Sequence, residues 1–157
     1  MASTVFRDIY RQHPSFTRLE ALLAGDSSEP VTIHGLTGSS RSIVMAGALS
    51  QQPTTHVVLL PEKEDAAYFY NDLTSLLGDD NIFFFPGTYK RSVMYDQTEP
   101  ANIILRAEVL NFLTSGRRKC IIVTYPESVM EKVVSKSSLK KNTFVIKKGA
   151  KLSIEFL

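Results

Sequence analysis

The chain has no tryptophan, three histidines and a single cysteine among its 157 residues. One cysteine cannot close an internal disulfide, which points to a cytoplasmic chain. Cys120 together with the scattered His13, His34 and His56 argues against a Cys/His zinc site, so no metal is expected. Long hydrophobic runs are missing too. The longest, such as Ile82 to Phe85, fall far short of the roughly 20 apolar residues of a membrane-spanning helix, and no membrane partner is expected. The opening MASTVFRDIYRQHPSF has neither the basic start nor the continuous apolar stretch of a secretory signal. There is no internal repeat and no low-complexity segment.

What remains is an ordinary globular composition, 43% hydrophobic and 22% charged, with enough apolar side chains for a real core. The net charge of +2 hides an asymmetry. Residues 1–114 hold 8 Lys/Arg against 13 Asp/Glu, whereas residues 115–157 hold 10 against 3. A basic end segment can mean an anionic partner, but more often it is just a solvated basic face.

Hydrophobic spacing predicts an α/β fold: a parallel sheet with helices on both faces. N-terminal helices are expected within residues 4–24, with Ser15 capping a helix that carries Phe16, Leu19, Leu22 and Leu23. Strands are expected at Val31–His34, Thr55–Leu60, Asn81–Phe85 and Lys119–Thr124, alternating with helices at Ser39–Gln51, Glu62–Leu77 and Asn102–Thr114. In the last of these helices Ile103, Ala107, Leu110 and Leu113 form the expected inner face. The apolar second strand reads as covered on both faces, as does Phe83–Phe85. Alternation of this kind requires crossovers and parallel strands, with the first strand central if the sheet follows P-loop order. After Pro126 the pattern changes to a short helix around Ser128–Val134, a Lys/Ser-rich connection and a strand at Thr143–Ile146. Two domains follow: an α/β domain over residues 1–124 and, over 125–157, the start of a second subdomain cut short at Leu157.

The one motif with site character is HGLTGSSRS, between the first strand and its helix. A P-loop reads G-x-x-x-x-G-K-[ST]. Gly35 fits its first glycine and Ser42 its final hydroxyl. Ser40 stands where the second glycine belongs, and Arg41 where the lysine belongs; Gly38 lies between. A side chain at position 40 restricts the backbone that must wrap a phosphate, and a planar guanidinium does not replace a compact ammonium. The strand ending Ile121-Ile122-Val123-Thr124 carries no acid to hold magnesium, and no Asp-Glu pair occurs in the chain. Neither ATP binding nor catalysis is expected, and no cofactor. Three histidines without an acid or thiol at useful spacing make no triad. Cys120 opens an apolar strand and reads as a small buried residue. The long polar loop from Pro86 to Pro100 mixes Tyr89, Lys90, Arg91 and Tyr95, a combination that suits nucleic-acid or protein contact or simply packs on itself.

HGLTGSSRS resembles a degraded P-loop of UvrB, the excision-repair subunit. The ordered series Phe85-Pro86, Tyr95-Asp96, Pro100, Arg106, Leu110, Ile121-Ile122-Val123, Met130 and Phe144-Val145-Ile146-Lys147-Lys148-Gly149 resembles the N-terminal UvrB-like module of the bacterial transcription-repair coupling factors, the Mfd family, from about Leu19 to Leu152. In that family the module has lost its ATPase signature. The resemblance implies a P-loop NTPase-like fold akin to UvrB domain 1, within a long ATP-dependent DNA translocase that displaces stalled RNA polymerase and recruits UvrA. It implies that ATP, magnesium, polymerase and double-stranded DNA are handled by other parts of the parent. It also implies that the UvrA surface lies on the inserted subdomain, mostly past Leu157. Two other readings stay open: a working P-loop enzyme with an unusual loop, and a nucleic-acid-binding module using the basic end.

Overall fold

The computed structural model of the chain describes residues 9–25, 30–88, 100–117, 119–142 and 149. Within them the order is α1 (Pro14–Ala24), α2 (Ser40–Ser50), β1 (Thr55–Leu59), α3 (Lys63–Leu77), β2 (Ile82–Phe85), α4 (Pro100–Thr114), β3 (Cys120–Thr124), α5 (Pro126–Met130) and α6 (Lys136–Asn142). Among the described residues no helix is long and apolar enough to cross a membrane. The expected strand at Thr143–Ile146 lies outside them.

The sheet has three strands in the order β1-β3-β2, all parallel, with Val57 beside Ile122 and Phe83 beside Ile122 from the other side. β3 is central, and its five residues are all buried. Successive residues of a strand face opposite ways, so β3 feeds two cores. Ile121 and Val123 join Ala66, Phe69 and Leu73 of α3, with Ala46 and Leu49 of α2 completing that side. Cys120 and Ile122 meet Val109 and Phe112 of α4, with Phe83 and Phe85 of β2 against them. Helices therefore cover both faces, as the alternation requires. α1 lies outside this arrangement and buries Phe16 and Leu19 on Val44 and Ala48 of α2.

Several expectations need correction. Val31–His34 is not a strand: the segment is exposed and pairs with none of the three strands, and the central place belongs to β3. Only Val31 and Ile33 are apolar there. A position between two helical layers would bury Thr32 and His34 as well, at a desolvation cost that two aliphatic side chains do not offset. β1 is not covered on both faces either, since Val57 is 63% and Leu59 58% exposed. The inner face of α4 is displaced from the one expected: Arg106, Val109 and Phe112 are buried, while Ile103 and Leu113 are exposed. The cap of α1 is His13 and not Ser15; the His13 Nδ1 accepts the Ser15 N–H at 3.2 Å. The short helix after β3 begins earlier, at Pro126.

Candidate functional site

The turn between residue 34 and α2 places two glycines in the left-handed region, Gly35 at φ +83° and Gly38 at +52°. Nothing lies within 4 Å of where a Cβ would sit at either, so backbone conformation alone selects glycine there. The loop that results is held by bonds within itself. The Ser40 N–H donates to Thr37 O at 3.2 Å, and the Ser40 Oγ donates to the same carbonyl at 2.6 Å. The Arg41 N–H points back to Gly38 O at 3.5 Å. Two N–H groups at this helix N-terminus, those of Ser40 and Arg41, therefore bond back within the turn.

Ser42, in the position of the metal-holding hydroxyl, is buried and donates to Asp72 Oδ2 of α3 at 2.5 Å. The bond ties the first turn of α2 to the flank of α3. A cleft of about 200 Å³ runs beside it, walled by Gly38, Ser39, Arg41, Asp65, Tyr68 and Asp72. Two carboxylates, Asp65 and Asp72, and one guanidinium, Arg41, line this cleft. Among the described residues no group of three or more His, Cys, Asp or Glu is placed to hold a metal ion. A wider groove, about 980 Å³, lies between α1 and the extended segment, and Tyr10, Phe16, Leu19, Ile33 and Leu36 line it; none of Gly35, Gly38, Ser40, Arg41 or Ser42 does.

A second constellation sits at the carboxyl ends of β2 and β3, the end of a parallel sheet where ligands and functional loops gather. Sequence reasoning passed over it. Arg106 of α4 is only 5% exposed. Its Nη1 donates to Pro86 O at 2.8 Å and to Ser128 O at 3.0 Å, and its guanidinium lies 4.1 Å from the centroid of the Phe85 ring. Glu131 Oε2 is 3.6 Å from that Nη1. Burial lowers the Arg106 pKa, and the Glu131 carboxylate opposes the shift; an arginine so placed stays charged. Glu131 also accepts the Thr88 N–H at 2.9 Å and the Thr88 hydroxyl at 2.8 Å. The Tyr125 hydroxyl accepts the Gly87 N–H at 2.8 Å, and Asn102 Nδ2 donates to Gly87 O at 2.8 Å. A Cβ on Gly87 would stand 2.8 Å from Glu131 Oε1 and 3.2 Å from the Tyr125 hydroxyl, so a larger residue there would push the Glu131 carboxylate from its place.

This network fixes both roots of the long loop, Pro86–Thr88 on one side and Asn102 on the other. Tyr89, Lys90, Arg91 and Tyr95 themselves lie outside the described residues. A buried arginine was the signal available in the sequence: an Arg four residues after Asn102 and three before Val109 falls on one helical face with both. Cys120 is 2% exposed, and burial raises its thiol pKa, so it is a poor nucleophile. His56 pairs with the Thr54 hydroxyl at 3.2 Å, and partial burial lowers its pKa. No protein-family model matches the chain, and no curated protein matches it.

Proposed function

We propose that the chain is the UvrB-like N-terminal module of a transcription-repair coupling factor of the Mfd type, and that it serves as a non-catalytic scaffold of P-loop NTPase descent. The observation that carries this reading is the state of the nucleotide loop: Ser40 and Arg41 occupy the glycine and lysine positions, and the Ser42 hydroxyl is committed to Asp72. The parallel sheet with helices on both faces supports it. So does the Arg106 network, which gives the loop carrying Tyr89, Lys90, Arg91 and Tyr95 a rigid base for contact with a partner. On this reading ATP, magnesium, RNA polymerase and double-stranded DNA engage other parts of a cytoplasmic parent protein, and UvrA engages a subdomain that begins near Tyr125.

A pull-down with purified UvrA tests the assignment. The expected outcome is that the 157-residue chain retains little UvrA, while a longer piece of the same gene that includes the whole inserted subdomain retains it firmly. Equal retention by both pieces contradicts the placement of the UvrA surface; retention by neither contradicts the family reading.

A further inference from the structure

β2 and β3 end beside one another, with Phe85 in register with Thr124. Buried ties join the segments that leave them. The Gly87 N–H donates to the Tyr125 hydroxyl at 2.8 Å, and Arg106 Nη1 bridges Pro86 O and Ser128 O. A further tie lies nearer the surface. Glu131, the residue directly after α5, accepts the Thr88 N–H at 2.9 Å and the Thr88 hydroxyl at 2.8 Å. This contact is only part-buried: the Glu131 side chain is 17% exposed, against 6% for that of Arg106. It also joins two parts of the chain 43 positions apart. Thr88 stands on the way out of β2, and past Glu131 the chain runs on through the exposed, non-helical Lys132, Val133 and Val134.

We infer that Glu131 and Thr88 form a releasable latch between these two exits, so that the order of one depends on the order of the other. Release does not strand the carboxylate. Arg106 Nη1 lies 3.6 Å from Glu131 Oε2 and supplies the opposite charge while Thr88 turns to water. Thr88 is itself half-buried, so its two donors find water at little cost. The latched state is then held by charge-assisted hydrogen bonds over a small gap, which a contact made on either exit can overcome. The inner ties to Tyr125 and Arg106 keep the sheet end in place meanwhile. Coupling of this kind is reciprocal. Whatever draws Glu131 away loosens Gly87 and Thr88, and whatever draws Thr88 away loosens the end of α5 by the same factor. That the two exits lead to two partner-binding parts rests on the reading above; the latch does not, and its test measures the coupling alone.

Hydrogen exchange of the full chain, followed amide by amide by NMR, tests this on wild type, Glu131→Gln, Thr88→Val, Thr88→Ser and the double variant Glu131→Gln/Thr88→Val. Glu131→Gln should speed exchange at Gly87 and Thr88 roughly tenfold, the loss of one charge-assisted hydrogen bond. Thr88→Val removes the hydroxyl with little change in size. It should speed exchange by a similar factor across the gap, at Ser128 and Val129, whose N–H groups donate to Tyr125 O. Thr88→Ser keeps the hydroxyl and should match wild type on both sides. The double variant should go no further than the single ones, since each breaks the same tie. Should Glu131→Gln destabilise the whole chain, all slow amides speed up together, and the Thr88 variants, which leave Glu131 and Arg106 in place, decide. Effects confined to the substituted side overturn the inference. So do effects that add in the double variant, a Thr88→Ser chain that behaves like Thr88→Val, or no change in any variant.

Discussion

Arg106→Ala is expected to lower the thermal unfolding midpoint by about 10 °C. The substitution removes a cation that is almost wholly buried and leaves its partners in place. Pro86 O and Ser128 O lose their donor, and Glu131 keeps its charge beside a gap, 3.6 Å from where Nη1 stood. Breaking a buried pair from one side typically costs 3–5 kcal/mol, and a chain of this size loses roughly 2–4 °C per kcal/mol. The loss also includes the stacking of the guanidinium over Phe85. Arg106→Lys should recover only part of it, since an ammonium cannot bridge two carbonyls while lying flat on a ring. Differential scanning calorimetry on the three proteins decides the matter. A midpoint for Arg106→Ala within 2–3 °C of wild type, a shift of about 1 kcal/mol, would show that the network carries little of the stability.

Leu73→Ala should cost about 3 kcal/mol. Leu73 has no exposure at all and sits in the cluster that joins α3 to Ile121 and Val123 of the central strand and to Ala46 and Leu49 of α2. Truncation loses the transfer free energy of the removed carbons and opens a cavity that three elements already packed together cannot close. Urea unfolding should show a lower midpoint with an unchanged slope, because the surface exposed on unfolding hardly changes. Val57→Ala makes the contrast: the same kind of truncation at a site 63% exposed should change stability by less than about 0.5 kcal/mol. Similar losses at the two positions would contradict the core as described.

The parts of the fold that were legible in the sequence are those where one physical rule dominates. Ala66, Phe69 and Leu73 recur at helical spacing, and Gly78 follows where that spacing ends; the helix is Lys63–Leu77. The apolar run Cys120–Thr124 reads as a buried strand and is one. What escaped depends on partners distant in the chain. The face of α4 was misplaced because periodicity treats arginine as an outward residue. Arg106 turns inward only because Pro86 O, Ser128 O, Glu131 and the Phe85 ring are there to receive it, 20 to 25 positions away. Val31–His34 has the local pattern of a strand, yet no strand edge takes it up. His13 caps α1 through a ring nitrogen, in a role that Ser15 fits better by propensity alone. At residues 34–42, Ser40 and Arg41 depart from the P-loop template in the sequence itself. The bond from Ser42 to Asp72 could not be read, because thirty residues separate the two.

We propose that the turn at residues 35–42 does not take nucleotide, because the Ser40 and Arg41 N–H groups bond back within the turn and the Ser42 hydroxyl is held by Asp72. Isothermal titration of the chain with Mg-ATP tests it most directly, repeated on Ser40→Gly/Arg41→Lys, which restores the glycine and lysine of the motif. Wild type should give no binding heat at micromolar to high-micromolar nucleotide, and the restored loop should hydrolyse nothing, because Asp72 still occupies Ser42 and no strand-end acid is present to hold magnesium. Micromolar affinity in the wild-type chain would contradict the account.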